Sequence, residues 1–346
     1  MAYAIKKGSD YFQSELYAGD GTSPRDVLQN GNFSPDLVWI KDRTNGSTSH
    51  WLFDTVRGSA GGALGVLFSD TTDAEYTSGT GIGGNATAFT GTGVTTTAGS
   101  STNDNLNKSS ANYVGWKWKG GESTVENTDG TITSQVSANP TAGFSVVTWT
   151  GNGATSTIGH GLGVAPKFII TKIRNVADGW YWYHADIGNT KFIRLDSTGA
   201  STTSTIFGNT SPTSTVFTFE LGVYNAVAYC FAEVEGYSKI GSYTGNASAD
   251  GPFVYTGFRP AFVLIKATNV SGVSWVIHDT SRRTYNYHGE ELYPNSSGSA
   301  ANASTERLDI LSNGFKLRTT ANSLNGSYNY IYMAFAETPM KFANAR

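Results

Sequence analysis

The sequence has a single cysteine, Cys230, and this excludes an intrachain disulfide. Packing, or association with other chains, must therefore stabilise the fold. Charged residues make up 15% of the 346 residues, against about 25% in an average soluble domain. The formal net charge is −3, so the basic surface of a nucleic-acid-binding protein is missing. We predict no nucleic-acid partner.

Long apolar runs are also missing. No stretch approaches the roughly 20 apolar residues of a membrane span, so we predict no membrane insertion. Lys6 and Lys7 are not followed by the apolar segment of a secretory signal peptide, which predicts a protein made in the cytoplasm without a signal. No segment sustains the 3.6-residue apolar period of a helix.

Glycine and aromatic residues are abundant, with 41 Gly, 8 Trp, 18 Tyr and 18 Phe. Short strand-like segments recur every roughly 8–12 residues between Gly, Asn, Ser and Thr turns. This pattern predicts an all-β fold of tandem antiparallel β-sandwich repeats, jelly-roll-like, with essentially no helix.

One segment occurs three times, at residues 35–41, 166–172 and 260–266. Each copy starts with proline, continues as an apolar run and ends with lysine. Proline fixes φ and donates no hydrogen bond, so it suits the first position of a strand. The apolar run predicts a fully buried strand, and the lysine predicts the return of the chain to water. An aromatic residue precedes each proline by 17 or 18 residues, which indicates a true internal repeat.

Each repeat closes on a strand rich in aromatic residues. Aligning Trp116, Phe231 and Phe335 gives Cys230 the position of a small residue, which predicts an inert, buried thiol. Because little separates the second and third repeats, we expect those two to pack rigidly and the first to be freer. The predicted organisation is an N-terminal arm (1–14), repeat 1 (15–121), a linker with one strand at 131–137 (122–143), repeat 2 (144–236) and repeat 3 (237–346).

His278, Asp279 and Ser281 are close in sequence and could suggest a Ser-His-Asp triad. Repeat 1 has Asp54 at the same strand end without a histidine, so turn formation explains the aspartate better.

Glu233 and Glu337 occupy matching repeat positions, and a carboxylate pair is what glycoside hydrolysis needs. Repetition of the same residue along the chain favours solvated strand ends instead. We predict that the protein is not an enzyme.

Metal and phosphate sites are not indicated. Asp20, Asp129 and Asp250 lie in glycine-rich turns that could help to hold Ca²⁺, but none recurs in a cation-loop pattern. The glycine-rich segment 79–84 lacks the preceding strand and following helix of a phosphate loop. We predict no metal and no cofactor.

Trp180, Tyr181 and Tyr183 form the densest aromatic cluster. Side chains alternate along a strand, so Tyr181 and Tyr183 share a face opposite to that of Trp180. Tyrosine is flat and amphipathic, and these residues are candidates for stacking on a receptor sugar or on another subunit. Coverage of that face by a second sheet is the alternative, and the sequence leaves both open.

Four segments, at residues 4–12, 36–41, 159–166 and 330–337, resemble a family of repeated β-domain virion proteins from tailed, especially marine, bacteriophages. The resemblance covers nearly the whole chain. It implies a structural protein of the virion, of the tail-fibre or surface type, with other virion proteins as partners. Such parts are often symmetric, which predicts a homo-oligomer, specifically a trimer. The family supplies no catalytic residues that could be transferred.

Three functions stay open. A tail-associated protein would contact the host cell surface, with a surface glycan as a candidate receptor. A capsid decoration or head-fibre protein would dock through the N-terminal arm, where Lys6, Lys7, Tyr11 and Phe12 are the candidate contacts. A glycan-cleaving tailspike enzyme would need a carboxylate pair in a cleft, which the repeat pattern disfavours.

Overall fold

The three repeats fold into three β-sandwich modules in the computed structural model, which describes residues 5–60, 62–76, 85–97, 106–286, 289–302 and 307–337. Strands pair antiparallel in the large and the small sheets of all three modules. The helical content of these ranges is one 3₁₀ turn at Gly8–Asp10. The predicted all-β class is confirmed.

The strands are numbered along the chain. Module 1 contains β1 (Phe12–Ala18), β2 (Arg25–Val27), β3 (Leu37–Asp42), β4 (Trp51–Asp54), β5 (Ser59–Ala60), β6 (Ala63–Leu64), β7 (Leu67–Phe68), β8 (Ala86–Phe89), β9 (Val94–Thr96) and β10 (Asn112–Trp118). Module 2 contains β11 (Val125–Asn127), β12 (Ser134–Asn139), β13 (Phe144–Thr150), β14 (Thr155–Gly159), β15 (Phe168–Ile173), β16 (Trp180–His184), β17 (Lys191–Arg194), β18 (Thr202–Thr203), β19 (Val216–Glu220) and β20 (Asn225–Phe231). Module 3 contains β21 (Ser238–Thr244), β22 (Phe253–Tyr255), β23 (Phe262–Ala267), β24 (Val276–Asp279), β25 (Glu290–Glu291), β26 (Ala301–Asn302), β27 (Leu308–Leu311), β28 (Gly314–Leu317) and β29 (Asn329–Phe335).

The main sheet of each module repeats one strand order. An opening strand pairs with the closing strand, which pairs with the proline–lysine strand and then with the strand that follows it. The orders are β1-β10-β3-β4 in module 1, β13-β20-β15-β16 in module 2 and β21-β29-β23-β24 in module 3. Each module packs a smaller sheet against this one: β2-β9-β8, β14-β19 and β22-β28-β27. The common order confirms that the sequence repeat is a structural repeat.

The three main sheets share one central core, built from the sheet faces that point away from the smaller sheets. Strand β3 shows why its sequence is continuously apolar. Leu37 and Trp39 face the central core, whereas Val38 and Ile40 face the core between the two sheets of module 1. A strand buried on both faces has no polar alternation, as the apolar run predicted.

Three aromatic side chains meet in the central core, one from the closing strand of each module. The ring centroids of Trp118 and Phe231 are 6.2 Å apart, those of Trp118 and Phe335 5.8 Å, and those of Phe231 and Phe335 5.7 Å. Each module therefore contributes one aromatic side chain to a mutual contact of three rings.

Strand register corrects the sequence alignment of the closing strands. Trp118 pairs with Leu37 as Phe231 pairs with Phe168 and Phe335 with Phe262. The equivalent of Phe231 is thus Trp118, not Trp116. A shift of two residues keeps the same sheet face, so the aromatic pattern alone could not reveal it. Cys230 is fully buried, as predicted, and burial raises the pKa of its thiol.

Side chains bridge the modules in a cyclic order, from module 2 to module 1, from 1 to 3 and from 3 to 2. The indole nitrogen of Trp180 donates to the Phe68 carbonyl at 2.8 Å. Trp275 donates in the same way to Arg194, also at 2.8 Å. His50 occupies the matching position of module 1 and faces Tyr293 of module 3. The modules therefore close into a ring.

The predicted N-terminal arm is part of this ring, so the boundary at residue 14 is wrong. Phe12 begins β1 and is completely buried, with its ring stacked 5.3 Å from that of Phe335. A Cβ on Gly8 would lie 2.1 Å from the Ala336 carbonyl oxygen, so only glycine permits this contact. The segment at residues 5–14 joins module 3 to module 1.

The predicted linker is also part of the fold. It supplies β11 and β12 to the main sheet of module 2, and β12 overlaps the predicted strand. The Ser137 hydroxyl of β12 donates to the Asp36 carboxylate of module 1 at 2.7 Å. The expectation that module 1 is freer is therefore wrong, because it shares core and hydrogen bonds with both other modules. Among the described residues, no helix has the length and apolar character to cross a membrane.

Candidate functional site

The lysine that ends each proline–lysine strand is buried, so the prediction that it returns the chain to water is wrong. Lys41, Lys172 and Lys266 are each 0% exposed. Burial lowers the pKa of each ammonium group to about 8. Each ammonium group has a structural role, because it donates to carbonyl oxygens of its own module and of the neighbouring one. The acceptors are Thr48 (2.6 Å) and Ser297 (3.1 Å) for Lys41, Ile173 (2.9 Å) and Thr72 (3.3 Å) for Lys172, and Val273 and Thr198 (3.3 Å) for Lys266.

The three residues that could suggest a triad, His278, Asp279 and Ser281, contact other parts of the fold. Asp279 forms a buried ion pair with Arg282 at 2.5 Å and accepts the Arg282 backbone N–H at 2.9 Å. The Ser281 hydroxyl donates to the Ser14 carbonyl at 2.7 Å. The Nε2 atom of His278 lies 4.0 Å from a carboxylate oxygen of Glu291. The interpretation of Asp279 as a turn residue is confirmed.

Module 1 has the same buried pair, Asp54 with Arg57, and module 2 does not. Register puts His184 where the other modules have the aspartate. Burial lowers the pKa of His184 to about 4, which leaves a neutral imidazole at neutral pH. Module 2 therefore has a neutral histidine at the position where modules 1 and 3 have the aspartate of a buried ion pair.

Glu233 and Glu337 join consecutive modules. Glu233 accepts the backbone N–H of Ile240 at 3.0 Å, and Glu337 accepts that of Ser14 at 2.9 Å. Ile240 and Ser14 are equivalent residues on the opening strands of modules 3 and 1. Burial raises the pKa of Glu337. The repeated glutamate thus has a structural role at each position, not that of a solvated strand end.

The aspartates considered for Ca²⁺ are engaged elsewhere. Asp20 accepts hydrogen bonds from Thr22 and from Asn107, and these bonds lower its pKa to about 2. Asp250 pairs with Lys316 at 2.7 Å. Across the described ranges, no three His, Cys, Asp or Glu side chains are grouped so as to hold a metal ion. The segment 79–84 lies outside the described residues.

The face of the aromatic cluster that carries Tyr181 and Tyr183 is covered inside module 2, the alternative that the sequence left open, whereas Trp180 lies in the central core. Trp180 is 0% exposed and Tyr183 is 4% exposed, so an outward role for these two is wrong. The Tyr183 ring packs 5.6 Å from that of Phe207. Tyr181 is half-buried, its hydroxyl donates to Asp178 at 2.9 Å, and burial and this aspartate raise its pKa to about 12.

Of the predicted docking residues, two are exposed and two are partly or fully buried. Lys6 and Lys7 are exposed, and Lys7 pairs with Asp10 at 3.2 Å. Tyr11 is half-buried with its ring 6.1 Å from that of Tyr237. Phe12 lies in the central core, so its predicted contact with another virion protein is wrong.

Exposed aromatic side chains lie on the smaller sheet of module 3, on the edge strand β22. Phe253 is 44% exposed and Tyr255 is 63% exposed, whereas Val254 between them points into the module core. The sequence held this signal: an apolar residue flanked by two aromatic residues on a short strand after Gly251 places both rings on one face. This pattern is shorter than the aromatic cluster at 180–183, which is the stronger signal in the sequence.

Tyr255 lies at the wall of a pocket of about 390 Å³, here called the Tyr255 pocket. Its lining comes from the connection between modules 2 and 3 and from the turn after β22: Glu233, Glu235, Gly236, Ser238, Lys239, Tyr255, Thr256 and Gly257. Gly257 adopts φ +86°, a conformation that favours glycine, and this turn places the Tyr255 ring over it. The pocket combines an exposed ring with carboxylate, ammonium and hydroxyl groups.

Two other hollows lack an exposed ring. A pocket of about 440 Å³ between modules 2 and 3 has a mainly polar lining, in which Tyr243 is half-buried and Tyr330 is fully buried. Another of about 380 Å³ lies beside the turn at Pro35, where Phe33 is buried. The Tyr255 pocket is therefore the stronger candidate for recognition of a ligand with an apolar face.

The sequence profile of one family, described as a domain of unknown function (DUF7483), matches residues 7–339. No curated protein and no solved structure matches the chain. The matched span covers all three modules and the segment that joins module 3 to module 1. The chain belongs to the DUF7483 family.

Proposed function

We propose that this protein is a structural component of a tailed-phage virion, carried on the tail, which contacts the host cell surface and catalyses no reaction. The observation that carries the proposal is the outward-facing pair Phe253 and Tyr255 beside the Tyr255 pocket. Tyrosine and phenylalanine are enriched at the surfaces where proteins bind partners. The likeness of four sequence segments to phage virion proteins supports the virion location.

The ring of three modules supports a recognition role because it gives the Tyr255 pocket a rigid scaffold. The three modules share a core and exchange hydrogen bonds, so the loops around the pocket are anchored on both sides. The groups first considered for catalysis have structural partners: Asp279 binds Arg282, and the two repeated glutamates join modules. Their engagement argues against the glycan-cleaving alternative.

A capsid decoration is the second candidate, and the exposed Lys6 and Lys7 favour it. Both lie on the segment that joins module 3 to module 1, where they could meet an acidic capsid surface. The burial of Phe12 in the central core removes the apolar part of that docking site. We therefore place the tail first.

Trimer formation stays a prediction. One chain already builds a core from three sheets, which a homotrimer of single modules would need three chains to build. Light scattering of the purified protein distinguishes a single chain from a trimer.

Electron microscopy of intact virions with gold-labelled antibody tests the location. Label on the tail supports the proposal, label over the head favours the decoration, and absence of label contradicts both. Binding of the purified protein to host cells tests the contact. We expect Tyr255→Ala to weaken it and Tyr224→Ala, which removes a 40% exposed tyrosine of module 2, to leave it unchanged.

A further inference from the structure

The Tyr255 pocket has the features of a carbohydrate site, and its charges favour one class of carbohydrate. We infer that it binds neutral glycans and rejects acidic ones. The inference rests on the proposed function, because it names the ligand class that a host-contacting protein would recognise there. It differs from the earlier sequence prediction, which placed sugar contact at Tyr181 and Tyr183.

The aromatic surface supplies the apolar part of recognition. A pyranose ring has a flat face of C–H groups that stacks on an aromatic ring, and Tyr255 offers such a ring at 63% exposure. Phe253 lies two residues earlier on the same face of β22 and is 44% exposed. Its ring is supported from below, because Gly314 on the paired strand β28 leaves room for it. The two rings thus lie on the same outward face of β22, and Tyr255 is the one that lines the pocket.

The polar lining supplies hydrogen-bond acceptors for sugar hydroxyls. Glu235 is exposed at the pocket wall. A carboxylate accepts two hydroxyl donors at once, and such charge-assisted bonds are stronger than neutral ones. The Tyr255 pocket thus has a hydrogen-bond acceptor, Glu235, and an aromatic face for stacking, Tyr255.

The charge balance decides between neutral and acidic sugars. Both neighbouring lysines are committed to Glu233: Lys167 at 2.6 Å and Lys239 at 3.1 Å. Burial alone would raise the pKa of Glu233, but hydrogen bonds from these lysines and from Ile240 lower it on balance, so this carboxylate stays ionised. The pocket lining itself contains two carboxylates, Glu233 and Glu235, and one ammonium group, that of Lys239, so its net charge is negative. A sialic acid, uronic acid or sulfated sugar would meet repulsion there, whereas a neutral hexose would not.

The pocket is also preorganised. The Ser238 hydroxyl accepts the Val234 N–H at 2.9 Å, and the Thr256 hydroxyl donates to the Phe258 carbonyl at 2.6 Å. These bonds fix both loops of the lining before a ligand arrives, which reduces the entropy cost of binding. A volume of about 390 Å³ lies near the lower end of the roughly 300–1,000 Å³ range of ligand pockets, which suits a short saccharide unit.

The test uses the full chain on an array of immobilised glycans. The neutral probes are mannan, galactan and β-glucan oligosaccharides, and the acidic probes are alginate oligosaccharides and polysialic acid. We expect binding to at least one neutral probe and to neither acidic probe. Tyr255→Ala should weaken binding at least roughly tenfold, and Tyr255→Phe should retain it within about threefold, because the ring carries the contact. Glu235→Gln should weaken it roughly tenfold by removing a charged acceptor.

Tyr224→Ala and Glu126→Gln are matched controls, since both residues are exposed elsewhere in module 2, and both should bind as the unchanged protein does. Absence of binding to every neutral probe would overturn the inference, as would a preference for acidic probes or equal binding by Tyr255→Ala. If these results coincide with tail label and binding to host cells, the proposed function stands and the glycan inference alone fails. Absence of virion label removes the proposed function whatever the array shows.

Discussion

Replacing Lys266 with methionine should lower the rise of stability with pH above pH 8 by about 1.2 kcal/mol per pH unit. Lys266 is fully buried, and its ammonium group donates to the carbonyl oxygens of Val273 and Thr198. Burial lowers its pKa from 10.5 to about 8. Methionine has a similar shape and no charge, so the substitution removes the titration without opening a large cavity.

The sign of the effect follows from proton binding. Between about pH 8 and pH 10.5 the unfolded chain keeps the proton on Lys266 and the folded chain has released it. Stability therefore rises with pH across this window, and the gain is absent below about pH 8. At pH 9 the difference is about 0.9 proton, which corresponds to about 1.2 kcal/mol per pH unit. Lys41 and Lys172 have the same lowered pKa, so the three together give about 3.6 kcal/mol per pH unit.

Urea unfolding followed by tryptophan fluorescence, at intervals between about pH 8 and pH 9.5, measures this slope. The upper limit avoids the buried tyrosines such as Tyr229, whose raised pKa works in the opposite direction above about pH 10. Lys266→Met should show a slope smaller than that of the unchanged protein by about 1.2 kcal/mol per pH unit. The comparison between the two proteins cancels the opposite contribution of Cys230, whose thiol pKa is raised by burial. Lys191→Met is the control, because Lys191 is exposed and its removal should leave the slope unchanged.

Equal slopes for Lys266→Met and the unchanged protein would refute the reasoning. They would mean that the buried ammonium group keeps its ordinary pKa, or that water reaches it. A slope lost completely in this single variant would contradict the equivalence of the three lysines.

The remaining predictions concern the ring and its surface. Trp118→Ala should lower the free energy of unfolding by about 3–5 kcal/mol, and calorimetry should still show one transition, because all three modules share that core; separate transitions would contradict a shared core. Arg57→Met should cost about 3–5 kcal/mol in thermal unfolding by leaving the Asp54 charge buried and unpaired, and adding Asp54→Asn should recover part of it. Tyr255→Ala should change the free energy of unfolding by less than about 0.5 kcal/mol, since the ring is exposed; a larger loss would assign Tyr255 a structural role.

Local pattern sufficed where a residue's environment depends on its own strand. The proline–lysine segments predicted buried strands, and the structure has them as β3, β15 and β23, each buried along its whole length. Asp54 and Asp279 were predicted to form turns, and each accepts backbone N–H groups of the residues that follow. Such features need only the alternation of a strand and the geometry of an aspartate turn.

Local pattern failed where the environment is supplied by another module. The terminal lysines looked like surface residues, because their acceptors are carbonyl oxygens far away in the sequence: Ser297 lies 256 residues from Lys41. The ring of Tyr183 packs against Phe207, which comes more than twenty residues later in the sequence. The N-terminal segment looked like a free arm because its partners, Ala336 and Glu337, lie at the far end of the described chain.

The repeats themselves offer a way to separate packing from recognition. Positions at which the modules agree, such as the buried lysine and the central aromatic of the closing strand, are explained by the cyclic contacts that every module must make. A position at which one module departs needs a different explanation. His184 in place of an aspartate is such a departure, but His184 is buried and affects only the packing inside the protein. Tyr255 is exposed at the wall of a pocket, and packing of the three modules does not explain an aromatic side chain there, which is why we propose a recognition role for it.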